Sequence, residues 1–140
     1  MKNKLLQIVL IFLAFNSMQA NQTFAIDSKQ IKQMTKTNTL YMIGVDKYCN
    51  WDKTKVNVKN FKSIGKGFIQ YRSSKLDLST YKKDTAFVVF AKEDEVSMDF
   101  MEKLRTLGFK NAKYLKGGQN AWNKILINFR GIKLFSMFNY

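Results

Sequence analysis

The sequence contains no histidine, so no imidazole can serve as general base, metal ligand or pH switch. Its single cysteine, Cys49, excludes an internal disulfide and every metal site built from several thiolates. Acidic residues are scarce, 10 against 24 basic ones, giving a formal net charge of +14. Much of common enzyme chemistry is excluded by these counts alone. No internal repeat or low-complexity linker divides the 140 residues, and what is present suits one domain. The chain is 46% apolar and 14% aromatic, enough to bury a core.

The N-terminus has the pattern of an export signal. Lys2 and Lys4 precede an apolar stretch, Leu5 to Phe15, broken only by Gln7; polar Asn16 and Ser17 follow. Two cleavage points follow small residues, Ala20 and Ala25. Thr23-Phe24-Ala25 fits the small-x-small rule better, and Ala20 lies at the more usual distance from the apolar stretch. An uncleaved membrane anchor is the competing reading, but as a helix this stretch rises roughly 16 Å, about half of a hydrocarbon core. The expected product is an exported protein, periplasmic or extracellular. Loss of residues 1–25 removes two lysines and no acid, so the net charge falls from +14 to +12.

Helix and strand patterns alternate along the remainder. Ser28 is placed to cap a short helix through Met34, with Ile31 and Met34 on one face. Leu40–Val45 reads as a strand covered on both faces. A basic, poorly periodic stretch runs from Asp46 to Lys66, with short strands near Ile64 and at Phe68–Tyr71, and Leu76–Tyr81 suits a helical turn. Ala86–Ala91 is the strongest strand. From Ser97 onward Phe100, Met101, Leu104 and Leu107 fall at helical spacing, and Gly108 supplies a stop. Lys113–Leu115 reads as a strand and Ala121–Leu126 as part of a final helix. Strands separated by helices predict an α/β fold with an open parallel sheet flanked by helices.

Phe87-Val88-Val89-Phe90 leads into Ala91-Lys92-Glu93-Asp94-Glu95-Val96-Ser97, followed by an amphipathic helix, then Gly108-Phe109-Lys110-Asn111-Ala112 and Gly117-Gly118-Gln119-Asn120-Ala121-Trp122. In this order and spacing they resemble the C-terminal half of a rhodanese (sulfurtransferase) domain. That family carries a strand ending in a nucleophilic cysteine, a six-residue anion-binding loop, a helix opened by Arg-Ser, then G-F-x-N-V and G-G-x-x-A-W. The N-terminal match is weaker. Ile26-Asp27-Ser28 and Met42-Ile43-Gly44-Val45-Asp46 stand where the family has its entry and an L-I-D-V-R strand. Val56-Asn57-Val58-Lys59-Asn60-Phe61 stands where it has G-H-I-P-G-A, losing both histidine and proline, neither of which occurs anywhere in this chain. The resemblance places a rhodanese-like domain at 26–128 and leaves 129–140 as a basic, aromatic tail.

The resemblance implies a lost activity. A rhodanese loop presents backbone N–H groups that stabilise a thiolate and then a persulfide. Ala91 can form neither species, Val96 stands in place of the loop arginine, and Asp94 occupies a glycine position. Five of the ten acids lie between 93 and 102. Each carboxylate about 5 Å from a bound anion costs on the order of 1–3 kcal/mol. The same acids complement a helix dipole or recruit a basic or cationic partner. Cys49 is the one alternative nucleophile, with Lys47 and Lys53 nearby; Tyr48 and Trp51 suggest instead a cysteine tucked among aromatics. Gly117, Gly118 and Trp122 read as a tight turn and a core anchor.

The basic charge admits a solvated lysine-rich surface or contact with an anionic membrane. Export and the absence of a recognition motif argue against nucleic acid. The expectation is therefore an exported rhodanese-like domain that binds or scaffolds without catalysis, with no cofactor and no metal. The alternatives are a sulfurtransferase or persulfide carrier using Cys49, and a peripheral envelope-membrane protein.

Overall fold

The computed structural model describes residues 24–127. Residues 1–23 of the expected 1–25 export signal and the whole 129–140 tail lie outside the described residues. A central sheet of six strands has the order β1-β9-β8-β2-β5-β6. Its strands are β1 (Ala25–Ile26), β2 (Leu40–Gly44), β5 (Asn60–Gly65), β6 (Phe68–Tyr71), β8 (Phe87–Phe90) and β9 (Lys113–Leu115). A second, antiparallel sheet joins β3 (Trp51–Asp52), β4 (Lys55–Asn57) and β7 (Lys75–Asp77), with a single 3₁₀ turn at Leu78–Thr80.

Three helices pack on the central sheet. Helix α1 (Ser28–Thr37) is capped by Asp27, one residue before the expected Ser28. The Asp27 carboxylate accepts from Gln30 N–H at 2.8 Å, and the Gln30 side chain accepts from Asp27 N–H at 2.9 Å, a reciprocal box that fixes the helix start. Helix α2 covers Asp94–Thr106, and α3 occupies residues 118–127.

The sheet is mixed and not wholly parallel. β1, β9, β8 and β2 run parallel, but β5 lies antiparallel to β2, and β6 antiparallel to β5. The cause lies in the segment between β2 and β5, which forms the short β3 and β4 and no crossover helix, so the chain returns beside β2 in the opposite direction. β5 then turns into β6 through Lys66-Gly67, whose φ values of 53° and 81° make the two-residue turn that fits twisted strands. Val56–Phe61, matched to the family's histidine- and proline-bearing segment, is spread over β4 and the start of β5.

Each face of the sheet carries its own core. On one, Ile43, Val89 and Phe87 meet Phe100, Met101 and Leu104 of α2 and Val56 and Leu76 of the small sheet. On the other, Met42, Val88 and Phe90 meet Ile31 of α1 and Trp122 and Ile125 of α3. All four residues of β8 are at most 1% exposed. Burial of each contributes roughly 1.5–3 kcal/mol, which makes β8 the rigid axis of the molecule.

Candidate functional site

β8 and β2 end side by side, with Gly44 paired to Phe90 and Val45 N–H donating to the Phe90 carbonyl at 3.0 Å. The loop after β8 therefore leaves from the carboxyl edge of two adjacent parallel strands, where ligands sit in open α/β sheets. Ala91 stands at its root, 2% exposed. The turn that opens α3 is pressed against it: Gln119 N–H donates to the Ala91 carbonyl at 3.0 Å. A Cβ on Gly118 would lie 2.1 Å from that same oxygen, and Gly118 has φ +56°. Glycine is required there both for the conformation and for the approach.

The loop is shorter than the sequence suggests. Helix α2 begins at Asp94 and not at Ser97, leaving only Lys92 and Glu93 between Ala91 and the helix. The Val96 and Ser97 N–H groups both donate to the Glu93 carbonyl, at 3.2 and 3.3 Å. These two amides, which a longer loop would offer to an anion, are spent inside the helix. The physical reason is local. Asp94 and Glu95 occupy the first turn, where each carboxylate stabilises the helix by about 0.3–1 kcal/mol through the macrodipole. An Asp-Glu pair is an N-terminal helix signal, and it outweighs the loop length implied by the resemblance.

Lys92, Glu93 and Glu95 are exposed, Asp94 and Val96 half-buried, and Ser97 fully buried, its hydroxyl without a hydrogen-bond partner. Lys92, Glu93, Asp94, Glu95 and Gly117 line an open cleft of about 500 Å³. Ala91 does not form its wall. Nearby, burial and then the Asp94 carboxylate hold the Tyr114 phenol above its ordinary pKa. Among the described residues no group of three or more Asp, Glu or Cys side chains is arranged to hold a metal ion.

Aromatic bulk occupies the space behind the loop. Trp51 and Phe100 pack with ring centroids 4.8 Å apart, in the same cluster as Ala91, Val96 and Cys49. Trp51 Nε1 is buried without a partner. Phe100 is expected from its position in the helix to fill this space; its packing on Trp51, 49 positions earlier in the chain, could not be read from spacing.

Cys49 closes a turn that follows β2, its N–H donating to the Asp46 carbonyl at 3.2 Å. Its sulfur accepts the Asp46 N–H at 3.4 Å, and the Asp46 carboxylate takes the Tyr48 N–H at 2.8 Å. The thiol is half-buried against the core cluster, while Tyr48 is 75% exposed and does not cover it. The structure thus brings Ala91, Val96, Cys49, Trp51 and Phe100 into one apolar cluster and leaves the acids on the surface beside it. A buried cation is the feature that sequence reading misses. Lys62 on β5 is 8% exposed, its ammonium 4.7 Å from the Tyr71 ring and 5.3 Å from the Trp122 ring. A lysine in a poorly periodic basic segment gives no signal of burial; only the fold supplies the rings. In comparison with known proteins, the chain matches no family model, no curated protein and no solved structure.

Proposed function

We propose that this chain is an exported, rhodanese-like domain that works by binding and has no sulfurtransferase activity. One observation carries the reading. Beside an alanine where the family has its nucleophile, the Val96 and Ser97 amides are already hydrogen-bonded within α2. Support for the family comes from the parallel strands β9, β8 and β2, the short loop at their carboxyl edge, and the double-glycine turn packed on the Ala91 carbonyl. The antiparallel β5–β6 hairpin departs from the open parallel sheet that the family implies. The acidic residues around 93–95 remain the surface suited to a basic or cationic partner.

Of the two cleavage points, we infer the one after Ala20. Phe24 and Ala25 belong to the fold: the Phe24 carbonyl accepts from Tyr114 N–H at 3.0 Å, and Ala25 is the first residue of β1. Cleavage after Ala25 would cut β1 in half.

Intact-mass analysis of the purified protein after incubation with thiosulfate tests the functional reading. No covalent gain of sulfur is expected. A stable gain of one sulfur atom, absent in Cys49→Ala, would replace it with the persulfide-carrier alternative. That alternative has one favourable observation, the Asp46 N–H donating to the Cys49 sulfur at 3.4 Å.

A further inference from the structure

β6 ends one side of the central sheet, and among the described residues nothing pairs with its outer side. In a two-residue hairpin, Gly65 with Phe68 and Ser63 with Gln70 are the hydrogen-bonded pairs. The N–H and C=O groups of Ile69 and Tyr71 therefore point away from β5 into open space. Edge strands are commonly blunted by a charge, a proline or a bulge. Phe68-Ile69-Gln70-Tyr71 has no charge and no proline, and its register with β5 is unbroken. Phe68 and Tyr71 are 69% and 68% exposed, one on each face of the strand.

The charge around this edge has one sign. From Lys53 to Lys75 the chain carries seven basic residues and no acid. Two of them flank the strand on opposite faces: Lys62 reaches the Tyr71 ring, and the Arg72 guanidinium lies 5.6 Å from the Tyr41 ring. Neither is in an ion pair among the described residues. A second copy of the chain pairing edge to edge would set these like charges against each other, an arrangement that costs several kcal/mol.

We propose that the outer edge of β6 accepts an extended acidic segment of another protein as an added strand. The backbone groups of Ile69 and Tyr71 supply the ladder, Phe68 and Tyr71 supply apolar contact, and the exposed Lys66 and Arg72 select carboxylates on the incoming strand. Neither the loop after β8 nor the rhodanese-like reading enters into it.

The probe is a fluorescein-labelled peptide alternating glutamate and valine, titrated with the purified domain at low salt and read by anisotropy. Three controls separate the sources of affinity: the same peptide with alternate amides N-methylated, its lysine–valine counterpart, and vesicles of anionic lipid as competitor. Saturable binding is expected, weakened about tenfold by N-methylation through loss of one or two ladder hydrogen bonds. The lysine peptide should not bind. Ile69→Pro removes an outward N–H while sparing the bonds to β5, and should weaken binding by a similar factor with an unchanged circular dichroism spectrum. If Ile69→Pro does not fold, the N-methylated peptide still decides the matter. Absence of binding overturns the proposal. So does equal affinity for both glutamate peptides, or full displacement by vesicles, either of which marks a merely cationic surface. A dimer in sedimentation that Ile69→Pro dissolves would assign the edge to a second copy and overturn it as well.

Discussion

Gly118→Ala is expected to destabilise the domain by about 3 kcal/mol or more, lowering the melting temperature by on the order of 15 °C. Two costs combine. A side chain at φ +56° is strained, and its Cβ would lie 2.1 Å from the Ala91 carbonyl oxygen. That oxygen is backbone at the end of the most buried strand, so relief requires moving α3 or the loop and weakens the Gln119–Ala91 hydrogen bond. Gly67→Ala is the control, since it too has positive φ, +81°, but has nothing within 4 Å of its added Cβ. It should lose only about 1–2 kcal/mol, the conformational part alone. Thermal unfolding of the two variants measures the difference; equal losses would mean that Gly118 is retained for its turn and not for the close approach.

Trp122→Ala should cost about 3–5 kcal/mol in urea unfolding. Trp122 is 1% exposed and stacks on Phe90 at 4.9 Å with 23° between the rings, joining α3 to the strand that ends at Ala91. Its ring also faces the Lys62 ammonium, so truncation opens a cavity and removes one of two aromatic faces from a buried cation. Trp122→Phe keeps most of the apolar volume and should lose less than half as much. A loss for Trp122→Ala within the range of a surface substitution, about 0.5 kcal/mol, would contradict its place as an anchor.

Much of the fold was legible because it is locally determined. Phe87–Phe90 is a continuous apolar run with one reading, and Lys113–Leu115 was bounded correctly by its flanking turns. Phe100, Met101 and Leu104 declared the buried face of α2 through spacing. Two features were misplaced for different reasons. The start of α2 was legible in Asp94-Glu95, but the resemblance to a longer loop set it three residues late. The direction of β5 was not legible, because parallel and antiparallel neighbours differ in their connection and not in their side chains. Burial of Lys62 and Ser63 beside Phe61 and Ile64 also hides the strand's alternation. At the candidate site the sequence supplied every residue but not the tilted contact of Trp51 with Phe100, which depends on a small antiparallel sheet that no residue pattern announced.

The central claim is that α2 engages the Val96 and Ser97 amides within itself, so that on the proposed rhodanese-like reading the alanine at position 91 is only part of what sulfur transfer lacks. The most direct test is thiosulfate:cyanide sulfur transfer by Ala91→Cys, with Ala91→Cys/Cys49→Ala beside it to isolate the introduced thiol. Position 91 is buried, Val96 and Ser97 amides are engaged by Glu93, and the acids at 93–95 repel thiosulfate. Turnover indistinguishable from that of the unmodified protein is the predicted result. Fast turnover from this single substitution would contradict the account, since it would require a working anion cradle where α2 now begins.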